Sequence, residues 1–333
     1  MNDARRYQMA LAALTLATLI LFCLSLLVGP AGIGFIDSVS ALFSERRDAI
    51  ALIMQEIRLP RALLGLMVGA TLGLSGAVLQ GYLRNPLAEP ALIGVSASAS
   101  LGAVLAIYTG LSAVFPPALP LAALAASVVA VLIVQAMAGR RGSVLTLILA
   151  GVAVSSFAGA MTSLALNLSS NPFAALEIMF WMLGSLTDRS MTHVWLALPF
   201  MLAGWAALLT LGRALDALTL GGDTAASLGV DMRRVQFLAV FGTAASVGAA
   251  TAVTGAIGFV GLVVPHLLRP LTGGQPSRLL PTSALGGASV VLAADILVRI
   301  VAPERDLKLG VLTAIVGAPF FLWLVWRERR KVA

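Results

Sequence analysis

RLPRALLGLMVGATLGLSGAVLQGYLRNPLAEP, at residues 58–90, is the stretch from which the architecture of this chain can be inferred. Between residues 62 and 83 it has no charged side chain, and at about 1.5 Å per residue such a run crosses a hydrocarbon layer of about 30 Å. Gly65, Gly69 and Gly73 recur every four residues and share one helix face, where small residues let a second backbone approach. The stretch therefore predicts a membrane helix packed closely against another helix.

The composition of the whole chain is typical of a membrane protein. Of its 333 residues, 59% are apolar and 11% are charged, against roughly 25% charged residues in an average soluble domain. The net charge of +7 comes from basic residues between apolar runs, which indicates membrane topology and not nucleic-acid binding. The single cysteine, Cys23, excludes an intramolecular disulfide and gives no metal-ligand cluster. The sequence thus predicts a chain embedded in a lipid bilayer, with no nucleic-acid partner and no bound metal.

Ten apolar runs predict ten transmembrane helices, at about 9–28, 62–83, 92–110, 118–138, 144–166, 192–211, 235–254, 258–271, 281–300 and 308–326. The first run is longer than the apolar core of a signal peptide and is interpreted as a retained helix. An even number of spans places both termini on one side, and the basic connections on that side make it the cytoplasmic side. The predicted fold is all-α and integral to the membrane, with residues 1–333 forming one transmembrane domain.

Four distinctive blocks lie along these runs: RLPR with LQ, RNPLAEP and LIGVS within residues 58–96; LTLGGDTAASLGV at 218–230; GAIGFVGLVVPHLLR at 255–269, followed by LLPTSALGGA and LAAD; and GVLTAIVGAPFF at 310–321. Together they resemble the permease subunit of ABC importers for iron-siderophore complexes, haem and cobalamin. The resemblance covers nearly the whole chain. It implies the type II importer fold of the cobalamin permease and a multi-pass location in the bacterial inner membrane.

The resemblance also implies the partners of the chain. They are a second permease copy, most simply in a homodimer, two ATPase subunits and a periplasmic substrate-binding protein, with a path between the two permeases lined largely by the fifth and tenth spans. The sequence has no GxxxxGK[ST] phosphate-binding loop, so this chain is not expected to be an enzyme, and ATP and Mg belong on the ATPase. No cofactor is expected on this chain. Ferric siderophore is the first candidate cargo, with haem and then cobalamin as alternatives.

The inner connection at about residues 213–232 is the candidate for coupling to the ATPase. It predicts two short helices broken at Gly221 and Gly222, with Asp223 or Thr224 capping the second and Gly229 ending it. Its leucines are more numerous than a solvated connector needs, although such a connector is the alternative. The resemblance implies that the segment docks in a groove of the ATPase through Leu220, Gly221, Gly222, Asp223, Thr224, Ala225, Ala226, Ser227, Leu228 and Gly229.

Two further sites follow from the resemblance. A cytoplasmic gate would consist of Asn85 and Leu87, which match the family motif, and of Val144 and Leu145, which match it only approximately. A docking site for the binding protein would consist of Arg58, Arg61 and Arg299, clasping acidic residues on its two lobes. Snorkelling of these arginines to the lipid headgroups is the alternative.

Two other functions are compatible with single residues. Asp295 and Arg299, four residues apart in the predicted ninth span, are expected to pair, but an intramembrane acid can also carry protons in a secondary transporter. Ser75 within GLSG and His266 in another span are the ingredients of an intramembrane Ser-His protease. A serine among small helix residues more often serves packing, so both alternatives are remote.

Overall fold

The computed structural model describes residues 3–29, 32–44, 48–139, 144–302 and 307–332, and its secondary structure in these ranges is helical. A π-helical turn spans Ile53–Arg58, and 3-10 helices span Pro90–Ile93 and Arg269–Thr272. The described α-helices are α1 (Asp3–Leu27), α2 (Phe35–Leu42), α3 (Ala49–Leu52), α4 (Leu59–Tyr82), α5 (Val95–Tyr108), α6 (Leu111–Val114), α7 (Ala118–Ala138), α8 (Val144–Asn167), α9 (Pro172–Met182), α10 (Met191–Leu209), α11 (Gly212–Leu218), α12 (Gly222–Ser227), α13 (Met232–Thr254), α14 (Val260–Leu268), α15 (Pro276–Val301) and α16 (Leu309–Val332).

Eight of the described helices are long and apolar enough to cross a bilayer. The predicted third and eighth spans correspond instead to α5 and α14, which are shorter apolar helices. The all-α membrane architecture is confirmed, while helix length by itself supports eight spans and not ten. Below, the end of the bundle at which α1 begins is called the inner end and the opposite end the outer end, following the predicted topology.

The helix that corresponds to the predicted second span begins earlier than predicted. A continuous helix runs from Ala49 through the π-helical turn to Tyr82, so residues 49–57, which lie outside the predicted span, are helical. Asp48 starts this helix, because its Oδ1 accepts a hydrogen bond of 2.7 Å from the N–H of Ala51. The wider π turn ends at Arg58, two residues before Pro60, which has no N–H to donate to the preceding turn. The short helix α2 lies in the connection between α1 and this helix.

The centre of the bundle is formed by α4 and α13. In their most apolar stretches 83% and 78% of the residues are buried, against 11% in α1 and 22% in both α8 and α16. α4 packs most extensively against α15. A Cβ on Gly69 would overlap the carbonyl oxygen of Gly287, and one on Gly73 would overlap that of Ser283. The predicted close approach of a second helix along the glycine face of α4 is thus confirmed.

Buried side chains form two large clusters along the bundle axis. One contains Trp181, Leu186 and Leu309, near the outer end. The other contains Tyr82 and Leu208 near the inner end and also includes Leu215, Leu218 and Ala225. Because the latter three belong to α11 and α12, the inner connection between α10 and α13 is packed onto the bundle and is not a free loop.

Candidate functional site

The inner connection is held in place by burial on one face and hydrogen bonds at one end. Leu215, Leu218 and Ala225 are buried. Asp216 accepts a 2.8 Å hydrogen bond through Oδ1 from the N–H of Ser277, and its Oδ2 accepts one of 3.3 Å from Gln275 Nε2. α11 is therefore attached to the first turn of α15, and the segment has a defined position at the inner end.

The predicted break between the two short helices is confirmed, but the predicted cap is wrong. α12 begins after Gly221, whose φ of 110° favours glycine, and no side chain of Asp223 or Thr224 caps it. Asp223 lies in the first turn, where its charge is favourable towards the helix dipole. Gly229, with a φ of 85°, ends the turn as predicted. A glycine can start this helix because it alone adopts the required backbone conformation without strain.

The segment presents an apolar surface to its surroundings. Leu220 and Leu228 are each 64% exposed, and Ala226 between them is exposed as well. Ala225, in contrast, is fully buried in the inner cluster. The connection therefore has one face that belongs to this chain and one apolar face that is uncovered, as a docking surface requires.

The four candidate gate residues lie at neighbouring places of the inner end. Asn85 Oδ1 accepts a 2.9 Å hydrogen bond from the N–H of Leu87, which fixes the turn after α4. Ala88 and Ile93 from this turn share the inner cluster with Leu147 of α8, so the turn and the start of α8 are packed together. Asn85 and Leu145 are exposed, while Leu87 and Val144 are half-buried. This geometry leaves all four accessible at the surface of one copy.

The half-length helix α14 is attached to α4 by a side chain that the sequence analysis did not single out. Pro265 has no N–H, so the carbonyl of Gly261 four residues earlier loses its helical partner. Gln80 Nε2 lies 3.3 Å from this oxygen and 3.2 Å from that of Leu262. Gln80 Oε1 in turn accepts a 2.9 Å hydrogen bond from Arg269 Nη2. One buried amide thus satisfies the carbonyl that the proline leaves open and also binds the carbonyl of Leu262.

The start of α14 is also held by Glu89, which was likewise missed from the sequence. Its Oε1 accepts a 2.8 Å hydrogen bond from the N–H of Phe259, the residue before the helix, whose φ is 67°. Burial raises the pKa of the Glu89 carboxyl, and the hydrogen bond from Phe259 opposes this shift. Gln80 and Glu89 flank the candidate gate turn, so the turn and α14 form one connected unit. The signal in the sequence was a proline within a short span, because it leaves a carbonyl that needs a donor from another part of the chain.

The three candidate docking arginines surround the outer end of α1. Arg58 is only 4% exposed, and its Nη1 donates to the carbonyls of Leu26 and Leu27 at 3.0 and 2.9 Å. Arg299 Nη1 donates to the carbonyls of Ser25 and Val28 at 2.8 and 2.7 Å. The last carbonyls of a helix have no partners within it, and arginines from two other helices supply them here.

Asp295 joins two of these arginines. Arg61 Nη2 lies 2.8 Å from Asp295 Oδ1, and Arg299 Nη2 lies 2.8 Å from Oδ2. The predicted pairing of Asp295 with Arg299 is confirmed, and Arg61 is an additional partner from 234 residues away. With its side chain 15% exposed, Arg61 is more accessible than Arg299 at 7%. Asp295 and the two arginines thus form a structural charge cluster that joins α15 to α4.

The surroundings of Ser75 do not support the alternative of an intramembrane protease. This residue is fully buried, and its Oγ lies 3.4 Å from Ser246 Oγ. Its partner is another hydroxyl and not an imidazole that could act as a base. Ser75 therefore contributes to the contact between α4 and α13.

Comparison with known proteins places this geometry among membrane permeases. Residues 17–327 match the FecCD transport family. The Fe(3+) dicitrate transport system permease protein FecD of Escherichia coli is 40% identical, covering 83% of this chain and 86% of the relative. The hemin transport system permease protein HmuU of Yersinia pestis is 36% identical over 96% and 97%, and the vitamin B12 import system permease protein BtuC of Citrobacter koseri is 37% identical over 99% and 97%. A solved metal-chelate type ABC transporter in an inward-facing conformation has a TM-score of 0.85 at 33% identity, covering 95% of this chain and 98% of that chain.

Proposed function

The chain belongs to the FecCD transport family, and from this premise we propose that it is the permease subunit of an ATP-driven importer of a metal chelate. The observation that carries the proposal is the agreement in sequence and fold over nearly the whole chain with a metal-chelate type transporter. Ferric siderophore is the first candidate cargo, followed by haem and cobalamin. The relatives named for ferric dicitrate, hemin and vitamin B12 have similar identities to this chain, so identity does not rank the three.

The energy for import would come from two ATPase subunits docked on residues 220–229 at the inner end. The support is the exposed apolar face of Leu220, Ala226 and Leu228 on a segment whose other face is packed in the bundle. A bent segment held on one side transmits movement of a docked subunit to α10 and α13. Two copies of the chain would enclose the path, with the sparsely buried helices α8 and α16 facing it.

Coupling is tested by reconstituting the permease with its ATPase and binding protein in nanodiscs of inner-membrane lipids. Ala226→Glu is expected to abolish stimulation of ATP hydrolysis by the loaded binding protein, because it places a charge on the apolar docking face. Ala226→Ser keeps the small side chain and serves as the matched control. Ala225 is unsuitable for this purpose, since it is buried and its substitution would disturb packing. Normal stimulation in Ala226→Glu would exclude the coupling assignment.

The binding protein would dock at the outer end, on the cluster of Arg58, Arg61 and Arg299. Arg61 is the member with the most accessible side chain, and a planar guanidinium can bind a carboxylate of the partner through two hydrogen bonds. Arg61→Gln is expected to slow association with the binding protein, more strongly at low salt, while Arg299 still neutralises Asp295. An unchanged association rate at low salt would leave Arg61 with a structural role only.

The cargo and the driving force need separate measurements. The ligand that the cognate binding protein retains on purification identifies the chelate. Uptake in proteoliposomes that requires internal ATP and survives collapse of the proton gradient would support the importer, whereas uptake driven by the gradient without ATP would contradict it.

A further inference from the structure

A cavity of about 520 Å³ opens at the inner end between the end of α10, α11 and the first turns of α13. Its floor is apolar and includes Ala214, Ala217 and Val235. Its polar residues include Arg213, Arg234 and Asp231. The cavity therefore combines an apolar wall with two positive charges and one negative charge, at the level where membrane helices leave the bilayer.

The two arginines of the cavity have no counterion within the described residues. Both are exposed, and neither guanidinium is within ion-pair or hydrogen-bond distance of another described side chain. Asp231 adds one negative charge but forms no ion pair with either guanidinium; its Oδ1 accepts from the N–H groups of Arg233 and Arg234 at 2.9 and 3.3 Å and caps α13. A basic residue in the first turn of a helix also opposes the helix dipole. An anion bound here would pair with the two arginines and would offset their unfavourable interaction with the helix dipole.

The surface next to the cavity indicates what kind of anion fits. Phe237 and Phe241 follow Arg234 by three and seven residues, so they lie on the same face of α13, and both are exposed large side chains, as is Leu209 at the end of α10. The rings of Phe237 and Phe241 are stacked with centroids 5.6 Å apart and form a flat apolar strip. A ligand that fills the cavity with a phosphate and lays hydrocarbon along this strip has the chemistry of a phospholipid.

We propose that this cavity binds the headgroup of an anionic phospholipid, with Arg213 and Arg234 holding the phosphate and the acyl chains lying along Phe237 and Phe241. Basic pockets between membrane helices on the cytoplasmic side commonly bind such headgroups. The cavity also borders Leu228 and Gly229 of the proposed coupling segment. A bound lipid would consequently lie beside the surface on which the ATPase docks.

The test uses the full-length permease in a mild detergent and native mass spectrometry with added phosphatidylglycerol or phosphatidylcholine of the same acyl chains. The wild type is expected to retain phosphatidylglycerol preferentially. Each of Arg213→Gln and Arg234→Gln should weaken this retention by about fivefold, and the double variant should remove the preference. Arg233→Gln is the matched control, because Arg233 is exposed on the same helix turn but does not line the cavity. sn-Glycerol 3-phosphate, which lacks acyl chains, should not compete.

Three outcomes would overturn the proposal. Equal retention of phosphatidylglycerol by the wild type and the double variant would show that the arginines do not bind lipid. If Arg233→Gln loses as much phosphatidylglycerol retention as Arg213→Gln or Arg234→Gln, the effect comes from the overall surface charge and not from the cavity. Retained lipid together with lost copurification of the ATPase in the double variant would assign the cavity to a protein contact.

Discussion

At the scale of single residues, Asp295 is the group on which the outer end depends most. Its carboxylate is buried between Arg61 and Arg299, and removing one member of a buried charge cluster strands the others. Asp295→Asn is expected to lower the free energy of unfolding by about 3–5 kcal/mol. The measurement is SDS-induced unfolding followed by the fluorescence of the five tryptophans.

Two variants accompany this experiment. Asp223→Asn removes an exposed acid and should change stability little. Adding Arg61→Met to Asp295→Asn should recover part of the loss, because one of the stranded cations is then gone. If Asp295→Asn is as stable as Asp223→Asn, the cluster is not a determinant of stability.

Glu89 gives a prediction about pH. Because burial raises the pKa of its carboxyl in the folded chain, its favourable contribution is complete at low pH and is lost as the pH rises through the folded-state pKa. Glu89→Gln keeps an acceptor for the N–H of Phe259 without the charge. It should therefore match or exceed the stability of the wild type at pH 8, and the difference should shrink towards pH 5.

A second variant separates the charge of Glu89 from its hydrogen bond. Glu89→Ala leaves the N–H of Phe259 without its partner and should be less stable than Glu89→Gln by about 1–3 kcal/mol throughout this pH range. Parallel pH profiles of unfolding for the wild type and Glu89→Gln would mean that the carboxyl does not titrate differently on folding.

At the scale of helices, the contact between α4 and α15 can be tested with glycine variants. Gly73→Ala would push a methyl group against the carbonyl of Ser283 and should destabilise the bundle by about 1–3 kcal/mol or more. Gly159→Ala on α8 is the control, because a Cβ there meets open space and alanine favours the helix by roughly 0.5–1 kcal/mol. Similar unfolding free energies for the two variants would show that the helices are not held at this distance.

The same contact shows what sequence patterns can and cannot predict at this scale. The four-residue spacing of Gly65, Gly69 and Gly73 predicted the face of α4, since a helix repeats every 3.6 residues. It could not identify α15 as the partner, because nothing local specifies a helix more than 200 residues away. Gln80 was missed for a similar reason: its partner Gly261 lies 181 residues further along the chain. The cap of α12 was wrong because a glycine conformation took the place of the polar cap expected from composition.

At the scale of the whole assembly, the proposed gate predicts contacts between two copies. With Cys23 replaced by serine, a single cysteine at Asn85 or Leu87 should crosslink between permeases when the inner mouth is closed and lose the crosslink when it opens. Nonreducing gel electrophoresis in different nucleotide states is the measurement. A cysteine at Thr109, exposed at the outer end of α5, is the control. Absence of crosslinking at both gate positions in every nucleotide state would contradict the gate.

The capping of α1 has a consequence for biosynthesis. α1 is made first and is little buried, yet its outer end is held by Arg58, 31 residues after Leu27, and by Arg299, 271 residues after Val28. At about 5–20 residues per second, the ribosome supplies Arg58 within about 2–6 s and Arg299 only after about 14–54 s. During that interval the nascent chain exposes open helix carbonyls at Ser25 and Val28. A chain that ends before Arg299 therefore leaves the outer end of α1 without the second of its two arginine caps.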